Sequence, residues 1–297
     1  MNYEQLYMNE KKQREQLMKD IDKKCKEIDK LKTLLRTKEN ELISAKKQIL
    51  SHVNSNTAKD GYREEEDICN DLNKNTILRA NFEPILGTDY DECYKMVGNH
   101  KCDIQSNNKN LKAQVKKYKI GQFQQLDRHW VDDLIKNIPG LESERTILKD
   151  LCEYPLLPNG TSIDKTKPIK KLCSTNYSQE QLDKFLLLLN ENKRQILDYA
   201  FIGTNHEMQP DYLFGVEYLD NKRTKIVLCK ITDIIEYLET LHFTITKGKT
   251  VVVLGDDNIL SMQRKGGDGG KKSSNQLQFK LTISKLLDKV FHLQQML

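Results

Sequence analysis

Long apolar runs are missing from this sequence of 297 residues. No stretch approaches the ~18 apolar residues that a bilayer-crossing helix needs. The opening segment MNYEQLYMNEKK holds no apolar core ahead of a small-residue cleavage site. The sequence therefore predicts an intracellular protein with no membrane partner. Cysteine lacks pattern: Cys25, Cys69, Cys93, Cys102, Cys152, Cys173 and Cys229 form no CxxC pair and have no His at finger spacing. That argues against structural zinc and against a disulfide framework, and reads most simply as reduced, mostly buried thiols. Charge of one sign is not in strong excess either, since the formal net charge is only +5. Such a balance announces no nucleic-acid partner by itself, so the placement of the basic residues decides.

What is present is organised in segments. Between Leu17 and Ile49 the residues Leu17, Ile21, Ile28, Leu31, Leu35, Leu42, Ala45 and Ile49 fall on alternating three- and four-residue steps. This is a heptad seam, and it predicts a coiled-coil helix over residues 1–50 that joins copies of the chain into a homo-oligomer. Lys24 and Lys38 fill the two other seam positions and thin the coil; the bland alternative is a solvated helix on the protein's own surface. Residues 51–60 are small and polar and read as a linker. From Gly61 the pattern predicts a helix at Glu64–Leu72 and strands near Ala80–Ile85, Cys102–Gln105 and Leu111–Tyr118. A helix follows over Gln122–Ile138, stopped by Pro139-Gly140. Residues 61–140 thus form an α/β core with a small mixed sheet flanked by helices.

Residues 141–297 read as a further α/β region, either a second domain or an elaboration of the first. Helices are expected at Leu141–Leu151, Gln179–Tyr199, Asp233–Leu241 and Ile283–Leu297. Ser178 and Gln181 supply a capping box for the second of these. Strands are expected at Tyr212–Tyr218, Lys225–Lys230 and Thr250–Leu254, and Pro155–Thr175 is an irregular loop.

The chemistry concentrates in Lys101–Lys119, KCDIQSNNKNLKAQVKKYK. Asp103 sits on one strand, a polar turn follows, and the next strand carries Gln114 and Lys116 two residues apart. Strand side chains alternate, so Gln114 and Lys116 share a face and can both address Asp103. A carboxylate, an amide oxygen and an ammonium at one point are what metal-assisted phosphodiester cleavage requires: ligands for a divalent ion and a cation for the attacking water or the developing charge.

Asp103 and the later Gln114-Val115-Lys116 resemble the Asp…(Glu/Asp/Gln)-x-Lys half of the PD-(D/E)xK nuclease signature, in the Gln variant of Mrr-like restriction nucleases. Gly61-Tyr62 followed by Glu65, Ile68 and Leu72 is similar to the Glu-bearing first helix of the same families. QVKKYKIGQFQQLDRHWVDDLI resembles the core of type II restriction-like endonucleases. The resemblance spans roughly 80 residues, with a second patch near Gln263–Leu281. It implies a restriction-endonuclease-like fold and a catalytic set of Glu65, Asp103, Gln114 and Lys116. Magnesium, or manganese, would be held by Asp103, Glu65, the Gln114 amide oxygen and the Val115 carbonyl, all oxygen donors suited to a hard ion. Cys102 stands where the signature has proline, and Gln114 replaces an acid. Spacing to Ile68 and Leu72 favours Glu65 over Glu64 and Glu66.

The second basic segment, Gln263–Leu281, offers Arg264, Lys265, Lys271, Lys272 and Lys280 for phosphates and amides such as Gln278 for base edges; Arg128 and His129 are further candidates for phosphate contact, the bland alternative being that they cap and solvate the helix of Trp130. Two look-alikes are set aside. Pro210-Asp211 lacks a second ligand on its partner strand, where Leu228-Cys229-Lys230 stands. Asp268 with Gln278-Phe279-Lys280 has its acid inside Gly-Gly-Asp-Gly-Gly and no acidic helix ahead of it. The expected function is metal-dependent hydrolysis of double-stranded DNA by a type II restriction-like endonuclease. The rivals are a catalytically silent DNA-binding protein of the same fold and a coiled-coil scaffold.

Overall fold

The computed structural model describes residues 63–97, 101–246 and 250–297, with nine helical positions between residues 18 and 38. The rest of the expected coil and its linker lie outside the described residues. Residues Gly61–Leu297 form one compact unit. No helix among the described residues is long and apolar enough to cross a membrane.

Two sheets organise the unit. The first runs β1 (Cys93–Lys95), β2 (Ile104–Ser106), β3 (Lys112–Tyr118), β5 (Tyr212–Leu219), β6 (Lys222–Lys230), β11 (Leu293–Met296), and is mixed because β3 and β5 are parallel. The second is antiparallel, in the order β4 (Gln124–His129), β10 (Leu277–Leu281), β9 (Leu260–Arg264), β8 (Val251–Leu254), β7 (Phe243–Ile245). The chain thus crosses residue 140 without leaving either sheet: β5 lies beside β3, and β10 beside β4.

The first sheet is buried on both faces, which explains the unbroken apolar run Leu213–Val216 in its centre. One face packs under α1 (residues 63–74) and α2 (Thr76–Leu86), where Ile68, Leu72, Leu78 and Phe82 meet Ala113, Val115, Phe214 and Val216. Phe82 and Phe214 meet edge to face at 5.8 Å, a pairing that contributes about 0.5–1.5 kcal/mol beyond the area buried. The other face joins a larger core with α3 (Val131–Asn137), α4 (Arg145–Cys152), α5 (Gln179–Glu191), α6 (Lys193–Phe201), α7 (Ile231–Glu239) and α8 (Ile283–Leu287). The inner residues Met262, Leu277, Phe279 and Leu281 of the second sheet close this core.

Several elements differ from the sequence expectation. Ala80–Ile85 is not a strand but the middle of α2: Leu78, Phe82 and Ile85 are buried at four- and three-residue steps. The Asn75 side chain caps the helix by accepting from the amides of Ile77 and Leu78, both at 3.0 Å. Gln122–Ile138 is β4 followed by α3. Its single buried strand residue, Leu126, happens to stand four and five positions before Trp130 and Val131 and so imitates a helical stripe. Pairing with the distant β10 overrides that local pattern. The C-terminal helix stops at Leu287, and the chain returns as β11 along the edge of β6.

The capping box is present, with Ser178 Oγ accepting from the Gln181 amide and Gln181 Oε1 from the Ser178 amide. The helix behind it divides at Asn192 into α5 and α6. The six described cysteines are free, and all but Cys173 are buried; burial pushes the Cys229 thiol up to about 12, so these behave as small hydrophobes.

Candidate active site

The β2–β3 hairpin sets the geometry. Its turn is tied internally, with Ser106 Oγ accepting from the Leu111 amide at 3.0 Å and Lys109 at φ 63°. Ile104 opposes Ala113, and the Asp103 amide donates to the Ala113 carbonyl at 2.9 Å, so Asp103 arrives beside Gln114 just before β2 begins. Asp103 Oδ2 accepts from the Val115 amide at 2.8 Å and from Lys116 Nζ at 3.4 Å. Ala113 and Val115 point into the smaller core, which turns Gln114 and Lys116 the other way, onto a cleft that Asp103 also lines. The structure therefore brings Asp103, Gln114 and Lys116 together as the alternation predicts.

Gln114 is buried, with 2% of its surface exposed, yet its Oε1 has no hydrogen-bond partner. Leaving a buried oxygen unpaired costs about 1–3 kcal/mol, so the arrangement fits a ligand that this oxygen accepts from or coordinates. A hard divalent cation held by Asp103 and this amide oxygen meets that description. Val115 enters the site through its amide. The three acids of α1 divide. Glu64 turns into the protein, where the Tyr218 hydroxyl donates to it and Arg223 lies at 3.4 Å. Glu66 is exposed. Glu65 pairs with Lys95 at 3.4 Å, and its carboxyl is held above the usual range by burial and then by the charge of Asp103, against the pull of Lys95 and Lys116. Glu65 therefore shares an electrostatic environment with Asp103. It is not among the residues lining the cleft. Among the described residues no group of three or more His, Cys, Asp or Glu stands ready for a metal ion; a site here would rest on two carboxylates and the neutral Gln114 oxygen.

The cleft holds about 480 Å³. Asp103, Gln114 and Lys116 form one wall, and β4 supplies the facing wall through Gln125, Asp127 and His129. Arg128 is exposed there. Gln278 on β10 donates to Gln125 Oε1 at 2.7 Å, and Lys280 emerges on the same outward face of β10, since Leu277, Phe279 and Leu281 occupy the inner one.

The loop between β9 and β10 is not a free hairpin. The Ile163 amide donates to the Gly270 carbonyl and the Lys272 amide to the Thr161 carbonyl, both at 2.8 Å, and Asn275 exchanges hydrogen bonds with Tyr154. Arg264 lies over the Tyr154 ring at 4.7 Å and Lys272 over Trp130 at 5.9 Å, while Lys265 is bound by Asp268. Lys271 is exposed. Asp268 accepts from Lys265 and Ser273 within its own loop, and Asp211 lies at the entry to β5, its amide bonded to the Lys112 carbonyl. Neither lines the cleft.

Residues 93–287 match the R.HinP1I restriction endonuclease family. The chain belongs to that family. The matched span begins at β1 and ends with α8, so it takes in the β2–β3 hairpin, β4, β10 and the cleft between them. Membership places the chain among restriction-endonuclease-like proteins of the PD-(D/E)xK type. The restriction endonuclease MspI, solved in complex with its cognate DNA, is similar at a TM-score of 0.41 and 10% identity, over 69% of this chain and 77% of that one. No curated protein matches.

Lys101, Asp127 and Tyr199 line the cleft without having been singled out in the sequence, whereas His129 was expected only beside Arg128, at a phosphate or capping a helix. Reading 122–138 as a helix put Asp127 and His129 on different sides. On a strand, residues two apart share a face, and a strand assignment for Gln124–His129 would have exposed the pair.

Proposed function

We propose that this chain is a magnesium-dependent endodeoxyribonuclease that hydrolyses phosphodiester bonds of double-stranded DNA in the manner of type II restriction enzymes. The observation that carries the reading is the unpartnered, buried Gln114 Oε1 beside the Asp103 carboxylate, with the Lys116 ammonium on that same carboxylate. Asp103, Gln114 and Glu65 would hold the ion, magnesium or manganese, with the Val115 carbonyl as a further oxygen donor. When bound, the ion supplies positive charge at the phosphate and eases ionisation of water. The Val115 amide fixes the Asp103 carboxylate, and Lys116 offers N–H donors to the attacking water or to the developing charge on the phosphate. Hydrolysis of plasmid DNA with magnesium, set against the Asp103 variant described in the Discussion, tests the reading.

Arg264, Lys265, Lys271, Lys272, Lys280 and Arg128 are proposed to track the backbone, with Gln278 near the base edges. Because loop 265–276 is anchored to residues 154–163, its lysines present a fixed pattern of charge. Replacing Lys271 and Lys272 with Ala is expected to weaken DNA binding and flatten its salt dependence by roughly one unit of slope per lost phosphate contact. An unchanged slope in a salt titration removes the loop from the interface.

The seam of residues 17–49 is proposed to pair copies of the chain, giving two active sites for two strands. Deleting residues 1–50 should lower the mass measured by light scattering. Equal monomer masses with and without the segment refute the pairing.

A further inference from the structure

Across the cleft from Asp103 lies a chain of polar contacts that the nuclease signature does not contain. Lys101 Nζ is paired with Asp127 Oδ2 and also donates to the Ala200 carbonyl at the end of α6. The same Asp127 oxygen is bonded to His129 Nε2. His129 Nδ1 meets the Tyr199 hydroxyl at 3.1 Å, with the two rings 4.3 Å apart. Asp127 Oδ1 accepts from the Arg128 amide at 2.7 Å.

Each member is held from more than one side. Both ring nitrogens of His129 are engaged, which fixes the imidazole between Asp127 and Tyr199. Burial raises the Asp127 carboxyl, but the hydrogen bond from His129 and the charge of Lys101 outweigh it and keep the group ionised. Gly203, in a left-handed turn at φ 77°, closes on the Lys101 stem so tightly that a β-carbon there would stand 2.9 Å from Lys101 Cγ. The turn after α6 is shaped around this side chain.

Lys101 is two residues from Asp103, and both line the cleft. An ammonium carries three N–H donors; Asp127 and Ala200 take two, and one remains for a ligand. We infer that Lys101 is a second phosphate-binding ammonium of the active site, and that Asp127, His129 and Tyr199 are positioning residues that brace it and tie the DNA-facing strand β4 to the Asp103 wall. The inference rests on the proposed phosphodiester cleavage. It assigns these residues a part in the chemical step, whereas a purely structural network would affect stability alone.

The test is single-turnover cleavage of plasmid DNA by the full chain in magnesium, with binding of the same DNA read separately in calcium and folding read by thermal melting. Lys101→Met is expected to slow cleavage by about 30-fold or more with binding changed less than about 3-fold. Lys101→Arg, which keeps the charge, should recover about ten-fold of that loss. Asp127→Asn should match the Lys101→Met loss, and the double variant should be no slower than about 3-fold below either single, because the two act through one contact. Tyr199→Phe removes one hydroxyl from the far end of the brace and should slow cleavage by about 3-fold to 10-fold.

The brace is overturned if Asp127→Asn cuts at the parental rate, if the two losses multiply in the double variant, or if Lys101→Met loses binding as much as rate. Should Asp127→Asn fail to fold, Tyr199→Phe decides, and a parental rate there overturns the proposal. A parent that cuts while Asp127→Asn cuts equally well sinks the brace alone. A parent that never cuts in magnesium or manganese sinks the nuclease reading and the brace with it.

Discussion

Replacing Asp103 with Asn is expected to lower DNA cleavage by roughly 10³-fold or more, a loss of about 4 kcal/mol of transition-state stabilisation. The change keeps the side chain's shape. It removes the negative charge that accepts from the Val115 amide and the Lys116 ammonium. DNA binding should persist or tighten, because a carboxylate no longer repels the phosphate. The magnesium concentration for half-maximal residual activity should rise, since a neutral amide is a poorer ligand for a hard cation. Asp268→Asn serves as the control: it disturbs a loop contact to Lys265 and Ser273 and should leave the chemical step intact at saturating enzyme. Normal cutting by Asp103→Asn, paired with a dead Asp268→Asn, would move the active site to the other half of the chain.

The second large effect is expected at Lys116. Lys116→Met keeps an apolar stem of similar length and removes the ammonium, and cleavage should fall by about 10²-fold to 10³-fold, as for loss of one preorganised donor. The metal response separates this variant from the first. Taking a positive charge away from the neighbourhood of Asp103 removes repulsion toward a divalent ion, so half-saturation should shift to lower magnesium while the rate falls. Opposite shifts in the two variants assign Asp103 to the ion and Lys116 to the water or the phosphate. Shifts in the same direction, measured on protein of unchanged melting temperature, contradict that division of labour.

The candidate strip of the site was legible in the sequence because its geometry is local. Asp103, Gln114 and Lys116 lie on one hairpin, and alternation along two adjacent strands places them without reference to the rest of the chain. Glu65 was preferred to its neighbours only on its spacing to Ile68 and Leu72; in the structure Glu64 is taken up by Tyr218 and Arg223, while Glu65 pairs with Lys95. The facing wall was not legible. β4 owes its strand conformation to β10, and Gln125 and Gln278, which are hydrogen-bonded across that junction, are 153 positions apart. A window of eighteen residues cannot contain such a pairing, and the one apolar residue of β4 fell by chance on a helical step. The same distance hid the second sheet: of its five strands only β8 was expected, as Thr250–Leu254.

That distance also has a meaning in time. A chain folding as it is synthesised would complete the β2–β3 hairpin early, with Asp103, Gln114 and Lys116 already in register, while β4 still waited for residues 277–281 to give it a partner. Pairing of strands so remote in sequence is slow, because the loop between them must be closed before any contact offsets the entropy lost. Asp103, Gln114 and Lys116 would stand for most of that interval without the β4 side of the cleft. On the proposed function, a growing chain would be harmless until almost all of its described fold has been made, and a fragment ending near residue 140 would carry Asp103, Gln114 and Lys116 without the partner strand that β4 needs.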